Sequence, residues 1–250
     1  MSAAALPTVS VLHSEWIKIR SSRSILASLL AVFATTAGIT VLTAAAIGTS
    51  QPGALGEDRL FGAFFGINFG QIAAVAFGAT AFAGEFRNGA LRVSLTAVPN
   101  RTRLYLSKAA AVAGLAFVVG QITGLVTFVA GQALMGEYAL SLGDPGTVRA
   151  VFGSGAYLTL IALLSAGLTA LVRSGTLVMS LLIPFLLIVP FVVGQVADGA
   201  GRFMPDRAGQ AVMRLEAQGT LGPWSGLAVT ALWALVSLAA GWLAVRRRDA

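Results

Sequence analysis

Charged side chains are confined to short stretches of the chain, and six long segments carry none. The charge-free segments are 24–56, 60–84, 109–136, 150–172, 174–197 and 217–245. About 20 consecutive apolar residues cross the roughly 30 Å hydrocarbon core of a bilayer as a helix, and every segment exceeds that length. Lipid offers no partner to open backbone groups, so each crossing must be helical. The pattern predicts six spans, with cores at 26–48, 61–83, 110–134, 151–171, 176–196 and 224–245.

Composition supports the membrane interpretation over a soluble one. Hydrophobic residues make up 56% of the 250 residues and charged residues 11%, whereas soluble domains carry about 25% charged residues. A soluble bundle of six such helices would leave almost no polar surface, and so apolar a chain is not disordered. The first apolar segment is also far longer than the core of a cleaved signal peptide. We therefore expect an all-α integral membrane protein, with residues 1–250 forming a single transmembrane domain.

The distribution of Lys and Arg predicts the orientation. Twelve of these 17 residues fall in the first, third, fifth and seventh of the segments that flank and connect the spans. Cytoplasmic loops carry the excess of Lys and Arg, so both termini should be cytoplasmic in the cell membrane. The same asymmetry explains the net charge of +7. Nucleic-acid binding is the rival explanation, but no soluble face is expected to carry a basic patch.

Residues 8–23 precede the first span and form an amphipathic pattern. At helical spacing Val9, Leu12, Trp16 and Ile19 share one arc, while Glu15 and Lys18 lie away from its centre. Such a helix can lie in the headgroup plane, with its basic residues reaching phosphates. The residues assigned to this interfacial helix are Leu12, Trp16, Ile19, Arg20 and Arg23. A plain basic flank that only sets orientation is the alternative.

Two polar connections stand out. The loop at 85–108 is too long for a tight turn, and its residues 86–97 can form a short helix that ends before Pro99. A helix at the cytoplasmic mouth could dock a partner, but a basic loop that anchors to lipid fits the residues equally well. The segment 198–222 is the longest external connection, and a short helix is expected there over 207–217.

The chemistry that the sequence lacks narrows the function. Neither Lys18 nor Lys108 follows a glycine, so no Walker A loop is present, and the single histidine excludes an HExxH zinc motif. Cysteine is absent. Ion-coupled transporters place charged groups inside the membrane, and the six segments have none. The energy for any uphill transport must therefore enter from a partner. Amides in or near the spans are expected to bond between helices. These amides belong to Asn68, Gln71, Gln121, Gln132 and Gln195.

Four stretches resemble the permease subunit of ABC-2-type ABC transporters, in the form common among high-GC Gram-positive bacteria. Residues 14–23 (SEWIKIRSSR) resemble the opening of that family, and residues 84–92 (GEFRNGALR) resemble its motif after the second span. Residues 97–101 (AVPNR) with Lys108 resemble the continuation of that motif, and the RRRD end is typical. Ala90 stands where Thr is commoner.

The resemblance implies a six-transmembrane-helix ABC-2-type permease bundle with an N-terminal interfacial helix. In such a bundle the loop at 85–108 would be the cytoplasmic coupling loop, and 198–222 would hold short external helices. The residues that would contact the partner ATPase are Glu85, Phe86, Arg87, Gly89, Leu91 and Arg92. Two permease chains, alike or different, would assemble with two ATP-binding subunits.

The implied activity is export, and the chain itself would be no enzyme. ATP and Mg²⁺ would bind only to the partner subunits, and no cofactor or metal is expected in this chain. A non-transporting membrane scaffold, sensor or immunity protein is the alternative. A membrane-embedded enzyme is a third reading, although no nucleophile and base are paired in the sequence.

Overall fold

The computed structural model describes residues 8–47, 58–86, 90–196, 199–216 and 220–248. Ten α-helices occupy most of these residues. They are α1 Thr8–Ser21, α2 Arg23–Ile47, α3 Arg59–Gly62, α4 Ile67–Ala83, α5 Ala90–Ala97, α6 Arg101–Gln132, α7 Thr147–Val172, α8 Gly175–Val196, α9 Pro205–Gln210 and α10 Pro223–Arg247. Short 3₁₀ turns cover Gly84–Phe86, Gly136–Tyr138, Ala200–Phe203 and Ala211–Met213.

Six of the described helices are long and apolar enough to cross a membrane, which confirms the predicted number of spans. They are α2, α4, α6, α7, α8 and α10. The second span differs from the prediction of 61–83, because α3 and a turn precede α4. A side chain at Gly66, in that turn, would place its Cβ 2.0 Å from the Thr36 carbonyl oxygen of α2. The turn thus packs directly on α2, and the helix restarts at Ile67.

The helix that contains the third predicted span begins well before residue 110. Helix α6 starts at Arg101, where the side chain of Asn100 caps it by accepting a 3.0 Å hydrogen bond from the Arg103 backbone N–H. An Asn at this position satisfies one of the open donors at a helix start. The polar loop expected at 85–108 is therefore mostly helical, and Lys108 lies on the third span's own helix.

Helix α7 lies at the centre of the bundle, against α4, α6 and α10. Its close contacts depend on residues that lack bulk. A Cβ on Gly78 of α4 would lie 2.0 Å from the Ala162 carbonyl oxygen, and one on Gly120 of α6 would lie 2.7 Å from that of Gly155. Small residues let membrane helices approach until their backbones touch. This packing decides which faces of the other spans point inward.

The bundle has two ends. At the end that carries α5, which we call the α5 face, the Arg101 side chain at the start of α6 bonds to the Val245 carbonyl of α10. The Arg248 side chain, just after α10, bonds there to the Leu171 carbonyl of α7. The α9 face lies opposite, where the Arg149 side chain donates to the Arg214 carbonyl. The helix expected at 207–217 lies instead at Pro205–Gln210 and continues as the turn Ala211–Met213.

The segment that contains α9 is packed into the protein rather than resting on its outer surface. Val212 and Met213 are fully buried. A Cβ on Gly153 of α7 would lie 2.4 Å from the Val212 side chain, and one on Gly226 of α10 would lie 2.2 Å from the Ala208 carbonyl oxygen. Glycines on both neighbouring spans thus provide the space that this segment fills.

Candidate functional site

Four charged side chains meet at the α5 face and form what we call the four-charge cluster. Glu15 and Lys18 come from α1, Glu85 from the 3₁₀ turn after α4, and Lys108 from α6. The Lys108 ammonium donates to Glu15 at 3.0 Å and to Glu85 at 2.9 Å. The Lys18 ammonium donates to the same two carboxylates at 2.8 and 3.1 Å. The cluster therefore joins three separate parts of the chain.

Three members of the cluster are buried, and all four are paired. Glu15 is 0% exposed and Lys108 is 6% exposed. All four carboxylate oxygens accept hydrogen bonds. The two oxygens of Glu15 and one of Glu85 accept from the lysines, and the other oxygen of Glu85 accepts from the Ser94 hydroxyl at 3.0 Å. Buried charges are tolerated when they are paired and hydrogen-bonded. Removing one partner of such a pair costs about 3–5 kcal/mol, because the other charge is left uncompensated.

Lys18 is the outer member of the cluster, with 42% of its side chain exposed. Burial opposes its charged form, but the hydrogen bonds and charges of Glu15 and Glu85 outweigh burial and raise the pKa of Lys18. Its ammonium also reaches the Ser94 hydroxyl at 3.3 Å. Lys18 therefore stays charged at neutral pH and bridges the buried carboxylates to α5.

One residue of the apolar arc of α1, Ile19, turns into the protein instead of toward lipid. Val11, Glu15 and Ile19 are buried, as residues four apart on one helix face must be when that face packs on α6. Ile19 therefore belongs to the protein core, and its assignment to the lipid interface was wrong. Leu12, Trp16 and Arg20 are exposed on the neighbouring face of α1. Arg23 is also exposed, but it is the first residue of α2, because α1 ends at Ser21. The contact of these residues with lipid stays a prediction.

Helix α5 is held to the bundle on one side and open on the other. Leu91 is buried and Ser94 bonds to the cluster, whereas Arg92 is exposed and Val93 is 71% exposed. Phe86, which the sequence placed in the same helix, lies in the preceding 3₁₀ turn. It is half-buried, and its ring centre lies 5.8 Å from the Arg173 guanidinium carbon. The open face of α5 therefore presents a cation beside an apolar side chain.

The six residues expected to contact an ATPase thus occupy different settings. Glu85 points inward to the two lysines and Leu91 into the core, while Arg92 lies at the surface. Arg87 and Gly89 lie outside the described residues. In the part of the chain that the structure describes, the exposed candidates for a partner contact are Arg92 and, not foreseen from sequence, Val93.

A hollow of about 520 Å³ lies beside the cluster, between α5 and the starts of α2 and α8. Its polar lining includes Lys18, Ser22, Thr80, Glu85, Ser94 and Lys108. Helix α5 is attached to the bundle through the hydrogen bonds of Ser94 with the cluster and through the buried side chain of Leu91.

The amides of the spans mostly bond between elements, as expected. The Tyr157 hydroxyl donates to Gln71, and the Gln210 amide of α9 donates to Asn68 at 3.2 Å. Gln121 donates to the Phe152 carbonyl at 3.1 Å. Gln132 accepts from the Leu140 N–H, and Gln195 is exposed. Among the described residues, no three His, Asp or Glu side chains are close enough to hold a metal ion.

Sequence reasoning did not pair Glu15 with Lys108, although a signal was present. All four members of the cluster lie in the stretches that carried the family resemblance, at residues 14–23, 84–92 and 108. Charged residues next to an apolar segment are usually taken as solvated flanks, so their mutual contact needed the tertiary structure.

The chain matches the model of a known protein family. The model of the ABC-2 family transporter protein matches residues 11–194, which is well over half of the chain. The matched range begins in α1, contains the four-charge cluster and α5, and ends near the end of α8. No curated protein matches the chain.

Proposed function

The chain belongs to the ABC-2 family of transporter proteins, and on that basis we propose that it is the permease subunit of an ATP-driven exporter whose ATPase is a separate protein. Members of this family are membrane components of transporters and are not themselves catalytic. The full sequence has no phosphate-binding Walker A loop, and its six apolar segments hold no charge for ion coupling. The proposal assigns ATP and Mg²⁺ to the partner and no cofactor to this chain.

Helix α5 is the proposed docking element for that partner. An eight-residue helix with one face buried and a cation beside an exposed valine on the other suits a groove of another protein. The observation that carries the proposal is the run of hydrogen bonds from Ser94 through Glu85 and Lys108 to Glu15. Movement of α5 would be transmitted along it to α1 and α6, and so to the spans.

The proposal includes an orientation in the membrane and a subunit composition. The α5 face is cytoplasmic, both termini lie on that side of the cell membrane, and two permease chains combine with two ATPase chains. A reporter inserted after residue 142, in an exposed loop of the α9 face, should be external, while a fusion after residue 250 should be internal. The opposite result at residue 142 would overturn the orientation.

The docking assignment is tested by the stimulation of ATPase activity in the purified complex. Val93→Asp places a carboxylate on the open face of α5 and should abolish most of the stimulation. Val148→Asp is the matched control, because Val148 is 65% exposed on the α9 face, in the first turn of a helix where an acidic residue is tolerated. Both variants should insert in normal amounts. Normal stimulation with Val93→Asp would show that α5 is not the contact.

Co-purification with the ATPase encoded nearby tests the wider proposal. A chain that functions without any ATP-binding partner would be a scaffold, sensor or immunity protein instead. That outcome is distinct from a failed docking assignment, in which the complex forms but does not depend on α5.

A further inference from the structure

Three arginines surround a cavity at the α9 face, far from the four-charge cluster. Arg202, Arg207 and Arg214 line a hollow of about 270 Å³ between the end of α8 and the segment that contains α9. Small residues leave it open, among them Gly194 and Gly199. Gly199 has φ +75°, and a Cβ there would lie 3.1 Å from the Arg202 guanidinium carbon. The backbone thus lies closely against one of the arginines.

Aromatic rings, not carboxylates, hold the three guanidinium groups. Arg202 lies over Phe203 at 5.2 Å, Arg207 over Phe191 at 5.3 Å and Arg214 over Phe61 at 3.9 Å. Within the described ranges, the salt bridges are those of the four-charge cluster, and none involves these arginines. A guanidinium on a ring face keeps the N–H donors at its edge available.

Neither Asp58 nor Asp206, the acidic side chains described near the arginines, lines the cavity. The carboxylate of Asp58 accepts from the Phe61 N–H and the Leu215 N–H, both at 3.0 Å. Asp206 is buried and does not line the cavity. The Arg202 Nε is buried and has no hydrogen-bond partner among the described residues. Burial lowers the pKa of Arg214, and the charge of Arg207 adds to this against the opposing charge of Asp58. Among the described residues, the lining of the cavity therefore holds three arginines and no acidic side chain.

We propose that this cavity binds a phosphate-type oxyanion. Guanidinium groups recognise such anions through paired N–H···O bonds, and three of them converge here on a space larger than a single phosphate group. The cavity lies where α8 ends, at the level of the lipid headgroups if α8 spans the membrane. The anion is therefore either the phosphate of a lipid headgroup on that side or a soluble phosphate compound. This inference does not depend on the coupling role of α5.

Phosphate binding by the purified full-length chain tests the site. Inorganic phosphate is titrated against the protein in detergent at constant ionic strength, and the bound fraction is read from the thermal unfolding midpoint. Retention of phosphatidylglycerol over phosphatidylcholine is measured in parallel by native mass spectrometry of protein released from mixed nanodiscs. The test variant is Arg207→Gln, because Arg207 is exposed and its loss should leave the fold intact. Arg59→Gln is the control, because Arg59 is an exposed arginine on the same face that does not line the cavity.

Saturable phosphate binding that is at least about tenfold weaker in Arg207→Gln and unchanged in Arg59→Gln would support the site with a soluble anion. Selective retention of phosphatidylglycerol, lost only in Arg207→Gln, would support it with a lipid headgroup. Arg207→Lys should recover only part of the binding, because lysine keeps the positive charge but lacks the paired N–H donors of arginine. Equal losses in both neutral variants, or no binding in either assay, would overturn the proposal.

Discussion

Glu15 and Lys108 are 93 positions apart in the sequence, yet the buried carboxylate of Glu15 accepts a 3.0 Å hydrogen bond from the buried Lys108 ammonium. The contact fastens the helix before the first span to the helix of the third. With Glu85 and Lys18 it makes a neutral group of two acids and two bases. Its stability therefore depends on every buried member being present.

Loss of Lys108 should destabilise the protein far more than loss of Lys18. Lys108→Met leaves two buried carboxylates with only the half-exposed Lys18, at a cost of about 3–5 kcal/mol. Lys18→Met keeps the buried pairs, so its cost should be clearly smaller. Thermal unfolding midpoints in detergent measure both. Glu15→Gln combined with Lys108→Met should cost less than the sum of the single changes. Equal effects of the two lysine variants would contradict the burial argument.

The Ser94 hydroxyl should restrain α5. Ser94→Ala removes the bond to Glu85, and hydrogen bonds to charged groups contribute about 1.5–3 kcal/mol. Hydrogen exchange of the α5 backbone amides should then be about tenfold faster or more. Thr96→Ala is the control, since the Thr96 hydroxyl bonds within its own helix to the Val93 carbonyl. Unchanged exchange in Ser94→Ala would show that α5 is held by other contacts.

Asp206 should make the protein less stable as pH rises through the weakly acidic range. Burial raises the pKa of Asp206 to about 6, against hydrogen bonds and the Arg207 charge that lower it. The folded state therefore binds a proton more tightly than the unfolded state, and stability falls between about pH 4 and pH 6. Above pH 6 this contribution is constant.

Asp206→Asn removes that titration. Comparing the unfolding midpoints of the native chain and the variant at pH 4.5 and pH 7.5 isolates the effect, at about 1.4 kcal/mol for each pH unit between the two pKa values. Asp144→Asn, in an exposed turn where Asp144 accepts from the Ser141 N–H, should keep the native pH dependence. An identical pH dependence in Asp206→Asn would show that Asp206 titrates normally.

Two glycine substitutions should have opposite consequences. Ala is a better helix former than Gly by about 1 kcal/mol. Gly114→Ala on α6 meets no atom within 4 Å and should be neutral or stabilising. Gly78→Ala would place its Cβ 2.0 Å from the Ala162 carbonyl oxygen, so α4 and α7 must separate at a cost of about 1–3 kcal/mol. Unfolding midpoints compare the two, and a stable Gly78→Ala would refute the close α4–α7 contact.

The candidate site was only partly predictable. The stretches 14–23 and 84–92 indicated the right places, because their motifs are local. The apolar arc of Leu12, Trp16 and Ile19 was assigned to the lipid interface, but Ile19 turns inward beside Glu15, because the arc ignores a charged partner elsewhere. A lysine on α6 makes the Glu15 side the inward one, and no periodicity within α1 contains that information.

What the sequence alone determined is the number and approximate position of the spans. Each segment that crosses lipid must by itself be long enough, carry no charge and form its backbone hydrogen bonds internally. These conditions can therefore be checked segment by segment in the sequence. The tertiary structure decided which faces meet: the pairing of Glu15, Glu85 and Lys108, and the packing of 205–213 between α7 and α10. These outcomes depend on charge compensation and on the close fit of glycines between distant segments, which are properties of the packed chain as a whole.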